Sequence, residues 1–355
     1  MAHHFMFSCA LIAMLCLCAD AAHAGSWAQN SVINAAGSRT YRLWIPDGYN
    51  TKTPVPLVLM LHGCTQTPDD FASGTRMNAV ADKHHFLVVY PEQPASANPY
   101  KCWNWFDPAH QSRGVGELSL LAAVVDNVRS THKVDKLRIY VAGVSAGGAM
   151  ATIMAAAYPE MFAAIAVCAG IEYKAALNVA GALAAQKSGG PDPDTQGLQA
   201  YQAMTAASVK TEQRALASRT HRRPIRVIVF HGTLDTVVRP INGDQTIAQW
   251  ARTNDLLDDA RDNNTVDATA DSIAPGSVPN GYHFTRYVYN DATGKPLLEK
   301  WIVQDMGHAW SGGSTDGSYT APKGPNASEE IWRFFRQTPP TPHIRSRGRS
   351  RQQLQ

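Results

Sequence analysis

The segment Leu137-Arg138-Ile139-Tyr140-Val141-Ala142-Gly143-Val144-Ser145-Ala146-Gly147-Gly148-Ala149 begins as an apolar run and ends in an Ala- and Met-rich stretch. Leu137 to Ala142 has the composition of a buried strand, and Ala146 to Ala157 that of a helix closed by Tyr158-Pro159. Gly143-Val144-Ser145-Ala146-Gly147 joins the two with no room for a loop. A serine on so sharp a strand-to-helix turn has a strained backbone, and glycines on either side remove side chains that would collide there. The turn then holds the hydroxyl above the edge of a sheet, beside a helix N-terminus. Gly-x-Ser-x-Gly alone arises often by chance; its position between strand and helix is what makes Ser145 a candidate nucleophile.

The same alternation extends in both directions. Val55 to Leu61, Phe86 to Tyr90, Phe162 to Val167, Ile225 to Phe230 and Leu297 to Val303 are further apolar runs. Between and after them lie predicted helices over Pro68 to Lys83, Glu117 to Ser130 and Gln245 to Arg252, and a last one over Glu329 to Arg336 capped by Ser328. Runs that are apolar throughout, separated by helices, describe a parallel sheet covered on both faces. Tyr41 to Ile45 instead alternates polar and apolar residues, as an antiparallel edge strand does. The expected class is α/β, with a mostly parallel central sheet flanked by helices on both faces, the α/β-hydrolase arrangement. Tyr173 to Arg223, broken by Gly-Gly-Pro-Asp-Pro, and the acidic Asp255 to Pro279 fit this rhythm poorly and are expected over or beside the site.

A chain of 355 residues can bury one large core, and with 45% hydrophobic and 17% charged residues it reads as ordinary globular protein. Residues 1–24 stand apart: the apolar run from Phe5 to Cys18 is too short to span a bilayer and precedes Ala22-His23-Ala24, a small-x-small cleavage site. The expected organisation is a signal peptide over 1–24, a catalytic domain over 25–339 and a basic, disordered tail over 340–355. The expected location is secreted, outside the cell or in the periplasm, with no integral membrane segment in the mature chain. The net charge of +3 is that of Arg345, Arg347, Arg349 and Arg351 in the tail less Asp20 in the leader, which leaves residues 25–339 neutral. A neutral body offers no electrostatic footing for nucleic acid. Of the six cysteines, Cys9, Cys16 and Cys18 leave with the leader. Cys64, Cys102 and Cys168 remain, with no zinc-like spacing, so no metal is expected.

A serine hydroxyl needs an adjacent base, and the base needs an orienting acid; in this fold they follow in the order Ser, Asp or Glu, His. The run Ile225 to Phe230 leads into His231-Gly232-Thr233-Leu234-Asp235, and the run Leu297 to Val303 leads into Asp305-Met306-Gly307-His308. Asp235 and His308 are therefore the candidate acid and base. Asp244 reads as a helix cap, Asp305 is too close to His308 to bend back onto it, and His231 has the setting of a packed histidine. The oxyanion of an acyl-transfer intermediate needs amide donors. Ala146, after the nucleophile, and Cys64, in the loop Leu61-His62-Gly63-Cys64-Thr65, are the candidates. A Cys64–Cys102 disulfide would tie that loop to Lys101-Cys102-Trp103-Asn104-Trp105-Phe106 and contribute about 4 kcal/mol through chain entropy. The alternative is two buried thiols. Trp103, Trp105 and Trp310 are candidates for an apolar substrate wall, although tryptophans are as often core.

Assembled, these residues resemble the polyhydroxybutyrate-depolymerase family of esterases, related to bacterial feruloyl and acetylxylan esterases. The likeness covers roughly 30–337 and rests on Leu61-His62-Gly63-Cys64-Thr65-Gln66, Tyr90-Pro91-Glu92-Gln93, Cys102-Trp103-Asn104-Trp105-Phe106, Gly143-Val144-Ser145-Ala146-Gly147-Gly148, His231-Gly232-Thr233-Leu234-Asp235 and Gly307-His308-Ala309-Trp310-Ser311-Gly312-Gly313. It implies extracellular hydrolysis of carboxylic esters without a cofactor, on an oligomeric or polymeric ester. Its serine, aspartate and histidine fall on Ser145, Asp235 and His308. Members that erode solid polyester carry a separate substrate-binding domain after the catalytic one, whereas only a short tail follows the last predicted helix here. Soluble oligomers, amorphous polyester and plant-wall esters are the expected substrates. A serine peptidase on the same scaffold, or a catalytically silent surface-binding protein, are the competing readings.

Overall fold

Strand β3 (Val55–Leu61) is buried along its whole length, with Leu57, Leu59 and Leu61 entering one apolar layer and Val58 and Met60 the other. A strand covered on both faces has no reason to alternate, which is why its sequence reads as an unbroken apolar run. The structure, a computed structural model, describes residues 25–209 and 223–337, so the expected leader and Arg-rich tail lie outside the described residues. Strands β4 (Leu87–Pro91), β5 (Val134–Val144), β6 (Ala164–Cys168), β7 (Arg226–Gly232) and β10 (Pro296–Val303) continue the sheet. They lie parallel in the order β4-β3-β5-β6-β7-β10. Beyond β4 are the antiparallel β2 (Gly37–Ile45) and β1 (Ser26–Asn34), and beyond β10 the antiparallel β9 (His283–Asn290) and β8 (Ser272–Ser277).

Helices cover both faces, as expected of this class. On one side α1 (Pro68–Thr75), α2 (Met77–His84) and α8 (Ala327–Phe335) bring Phe71, Met77, Val80 and Trp332 against Val58, Tyr140 and Ile228. On the other, α3 (Gly116–Thr131), α4 (Ala146–Ala157), α5 (Val179–Ser188), α6 (Pro193–Val209) and α7 (Ile241–Asp259) pack against Leu59, Val141 and Val227. A two-stranded ribbon, β11 (Trp310–Ser311) and β12 (Thr320–Ala321), follows the last sheet strand.

Several details refine the sequence expectation. The helix predicted over Pro68 to Lys83 is two helices, because Arg76 takes a left-handed φ of 54° that ends α1 and starts α2. The last helix is capped by Asn326, whose side chain accepts from Glu329 N–H at 3.2 Å. Ser328 instead donates to Thr75 O at 2.6 Å and fastens α8 to the end of α1. The acidic segment Asp255 to Pro279 does not cover the site; it ends α7 and contributes β8 at the far sheet edge. Within Tyr173 to Arg223, α6 packs beside α4 and α7, while α5 docks on the loop after β7 through Arg239 N–H to Gln186 O at 2.8 Å.

The loop after β3 is fixed from behind. Cys64 and Cys102 form a disulfide, and Cys168 is a buried free thiol. Buried Glu117 accepts from Gln93 Nε2, from Asn104 N–H at 2.8 Å and from Asn104 Nδ2 at 2.7 Å. Gln93 N–H donates to His62 Nε2 at 3.1 Å, while His62 Nδ1–H donates to Gly63 O at 2.7 Å and Trp103 Nε1–H to His62 O at 3.0 Å. This pattern requires a neutral imidazole, and burial pushes the His62 pKa down to about 4.

Two outcomes follow from this anchoring. Replacing both Cys64 and Cys102 by Ser removes a crosslink between residues 38 apart and should lower unfolding free energy by about 4 kcal/mol, read from urea midpoints. Because the His62 pKa is depressed in the fold to about 4, its contribution to stability is complete above the ordinary histidine pKa of 6.5. It is lost as pH falls towards 4, an acid destabilisation of about 3 kcal/mol. His62→Asn should flatten that part of the stability–pH curve, and an unchanged curve would show that other groups carry it.

Candidate active site

Because β3, β5, β6, β7 and β10 run parallel, the loops that leave their carboxyl ends emerge along one edge of the sheet. Ser145 follows β5 directly and has φ 56° and ψ −122°, a conformation that L-residues rarely adopt. The flanking glycines show what permits it. A Cβ on Gly143 would stand 2.3 Å from Gly147 O, and a Cβ on Gly147 would stand 2.0 Å from Leu61 O. The elbow is thus pressed onto itself and onto the end of β3. Ser145 N–H donates to Cys168 O at 2.9 Å and Ser145 O accepts from Ala149 N–H at 3.0 Å, so the turn is held by the sheet on one side and the helix on the other.

Asp235 and His308 are brought into contact: His308 Nδ1 and Asp235 Oδ2 are 2.7 Å apart. Asp235 is buried, and its other oxygen, Oδ1, accepts from Val237 N–H at 2.9 Å and Val238 N–H at 2.8 Å. These bonds fix the carboxylate before the imidazole arrives. The loops bearing the two residues are joined by Leu234 N–H to Met306 O, Thr233 N–H to Val303 O and Asp305 N–H to Thr233 Oγ1, each 3.0 Å. Gly232 lets them approach, since a Cβ there would lie 2.1 Å from Met306 O. With Nδ1 engaged, His308 Nε2 has no hydrogen-bond partner among the described residues, Ser145 included, and the side chain is 11% exposed.

The other histidine near the carboxylate has a different occupation. His231 Nε2 is 3.5 Å from Asp235 Oδ2, but it donates to Val238 O at 2.8 Å and burial lowers its pKa. It is a neutral brace for the Asp235 loop. Asp244 pairs with Lys300 at 2.5 Å in the first turn of α7, and Asp305 is exposed, with φ 58°.

The loop holding Cys64 abuts the elbow, since a Cβ on Gly63 would be 3.5 Å from Ser145 Cβ. Ala146 is the first residue of α4, so its amide has no partner within the helix. The three tryptophans do not form the expected wall. Trp103, Trp105 and Trp310 are 0%, 3% and 1% exposed, and Trp310 Nε1–H donates to Ser328 Oγ at 3.2 Å. Aromatic bulk with a donor to satisfy has gone to the core, where they support the loops from behind.

The open space lies elsewhere. A cleft of about 610 Å³ is lined by His308 together with Tyr282, Thr315, Tyr319, Thr320 and Lys323 among others. The segment 313–323 that forms much of it returns to the loop after β3. Gln66 Nε2 donates to Ser318 O at 3.1 Å, Asp70 Oδ1 accepts from Ser318 N–H at 2.9 Å, and the hydroxyls of Tyr319 and Thr65 are 3.2 Å apart. Sequence reading missed these cleft residues, because a Gly-, Ser- and Thr-rich segment has no apolar period to place it. Among the described residues no cluster of three or more His, Cys, Asp or Glu is placed to hold a metal ion.

Residues 39–275 match the family model described as Esterase PHB depolymerase. The chain is 34% identical over 266 residues to Poly(3-hydroxyalkanoate) depolymerase C of Paucimonas lemoignei, a match covering 74% of this chain and 56% of that protein. It is 33% identical to Feruloyl esterase B of Neurospora crassa, covering 68% of this chain and 77% of the relative. In the solved acetyl xylan esterase from Aspergillus awamori the same fold recurs with a TM-score of 0.61 at 21% identity, over 79% of this chain and 94% of that one. With the family model matching more than half of its length, the chain belongs to the PHB-depolymerase family of esterases, which are carboxylic ester hydrolases.

Proposed function

We propose that this chain is an exported serine esterase working through an acyl-enzyme. Ser145 attacks the ester carbonyl, His308 takes its proton and later delivers it to the leaving alcohol, and Asp235 orients the imidazole and stabilises its charged form. The amides of Cys64 and Ala146 hold the oxyanion of the tetrahedral intermediate. Water then attacks the acyl-serine with His308 as base and releases the acid.

The observation that carries this reading is the 2.7 Å bond between His308 and buried Asp235, on the edge of the sheet where Ser145 is held at φ 56°. The carboxylate already accepts two amide hydrogen bonds, which hold it in place opposite the imidazole. Esters of hydroxyalkanoates, feruloyl groups or acetylated polysaccharide are the substrate classes suggested by the names of the relatives. Export is supported by the leader read in residues 1–24 and by a disulfide of the kind that persists in oxidising compartments. Residues 25–339 are proposed as the catalytic unit. No helix among the described residues is long and apolar enough to cross a membrane.

Ser145→Ala should lower kcat on a p-nitrophenyl ester by about 10⁶ while leaving the thermal unfolding transition in place. Retained turnover in a protein that binds no fluorophosphonate would remove Ser145 as nucleophile. Asp235→Asn should lower kcat by about 10⁴, since the amide favours the wrong imidazole tautomer. A loss below tenfold would show that His308 is oriented by another group.

A further inference from the structure

We infer that the cleft beside His308 is the leaving-group subsite and that Lys323 there recognises a free carboxylate on the alcohol half of the ester, the chemistry of a hydroxyacid oligomer ending in its own acid group. The inference rests on the triad reading above and adds the identity of the group that leaves. When the acyl C–O bond breaks, its electron pair passes to the alkoxide oxygen, which takes the proton held on His308 Nε2. The departing alcohol must therefore lie on the imidazole side of the reacting carbon. His308 is one of the residues lining the cleft of about 610 Å³, and Tyr319 on its wall is hydrogen-bonded to Thr65, next to Cys64 in the loop after β3. A volume of this size accepts a small-molecule moiety of one or a few hydroxyacid units.

The charge of the cleft decides what that moiety carries. Among the described residues no Asp or Glu lines it, and Lys323 is its one permanently charged side chain. Lys323 is exposed and, among the described residues, makes no ion pair, so its ammonium is available to a ligand. Its backbone is held, because Lys323 O accepts from Tyr282 N–H at 2.8 Å and a Cβ on Gly281 would lie 2.3 Å from that oxygen. Tyr282 and Tyr319 supply aromatic and hydroxyl surface for the short chain between ester and carboxylate. A neutral acetyl- or feruloyl-polysaccharide gives Lys323 no partner on that side.

The test compares kcat/KM for the 3-hydroxybutyrate dimer as free acid and as its methyl ester, at neutral pH and low salt. The wild-type ratio of acid to ester should exceed one by about fivefold, the gain of one accessible ion pair. It should shrink in about 0.5 M salt, where the Debye length is only a few ångströms. Lys323→Gln should bring the ratio to about one, Lys323→Glu below one, and Lys323→Arg should restore it. Monomethyl and dimethyl succinate place the carboxylate on the acyl side, and their ratio should not respond to Lys323→Gln. A wild-type dimer ratio of one, or a ratio that survives Lys323→Gln, overturns the inference, and a response confined to the succinates overturns the leaving-group assignment. Each outcome is read from an active enzyme, so it is separate from the Ser145→Ala result that tests the triad.

Discussion

The close approach of Gly147 to the end of β3 is the constraint on which the site depends. A single added carbon there would sit 2.0 Å from Leu61 O and 2.7 Å from His62 O, so the first turn of α4 and the exit of β3 occupy one shared space. That contact sets where Ser145 stands relative to the loop containing Cys64. It also keeps Ser145 in a backbone conformation costing roughly 1–3 kcal/mol, which persists only where the surroundings over-determine it. Here they do: the serine amide is bound into the β5–β6 ladder, and the residues after it are committed to a fully buried helix.

The three histidines on the active edge divide the work between bracing and exposure. His62 and His231 are buried, each donates to a backbone carbonyl and burial disfavours the charged form of both. They act as neutral struts that fix the two loops flanking the reaction centre. His308 has the opposite setting, partly open to the cleft and bonded to a carboxylate rather than a carbonyl. Of the three, His308 alone combines a carboxylate at hydrogen-bond distance from Nδ1 with partial exposure, the setting that the proposed proton transfers require.

The interior strands, and the turns that carry the proposed Ser145, Asp235 and His308, were legible in the sequence for a shared reason. Strands such as β3 and β7 are apolar throughout because both faces are buried, and the turns that leave them carry glycines at positions where backbone meets backbone, as at Gly143, Gly147 and Gly232. The outer strands were not legible. β8 contains Pro275 and Gly276 in six mostly exposed residues, a sequence that is tolerable only at a sheet edge and resembles a loop. β1 is exposed on most of both faces, so it has no clear alternation to read. The tryptophans misled because composition does not tell which aromatic has a buried partner for its N–H. Trp103 finds His62 O and Trp310 finds Ser328 Oγ, contacts between residues 41 and 18 apart in the chain.

What the sequence hid is also what the framework leaves free to change. Asp235 and His308 are joined by three backbone-anchored bonds between their loops, and Ser145 is locked by glycine contacts, so none of the three depends on the side chains of segment 313–323. That segment is held mainly at its ends and middle. The β11–β12 pairing closes it, and Ser318 is clamped by Asp70 and Gln66. Thr315 and Lys323 are exposed between these anchors, on the wall of the cleft, where a substitution touches none of the contacts that hold Ser145, Asp235 and His308. On the proposed reading, the chemistry is set by backbone packing and the choice of ester by a few exposed side chains beside it.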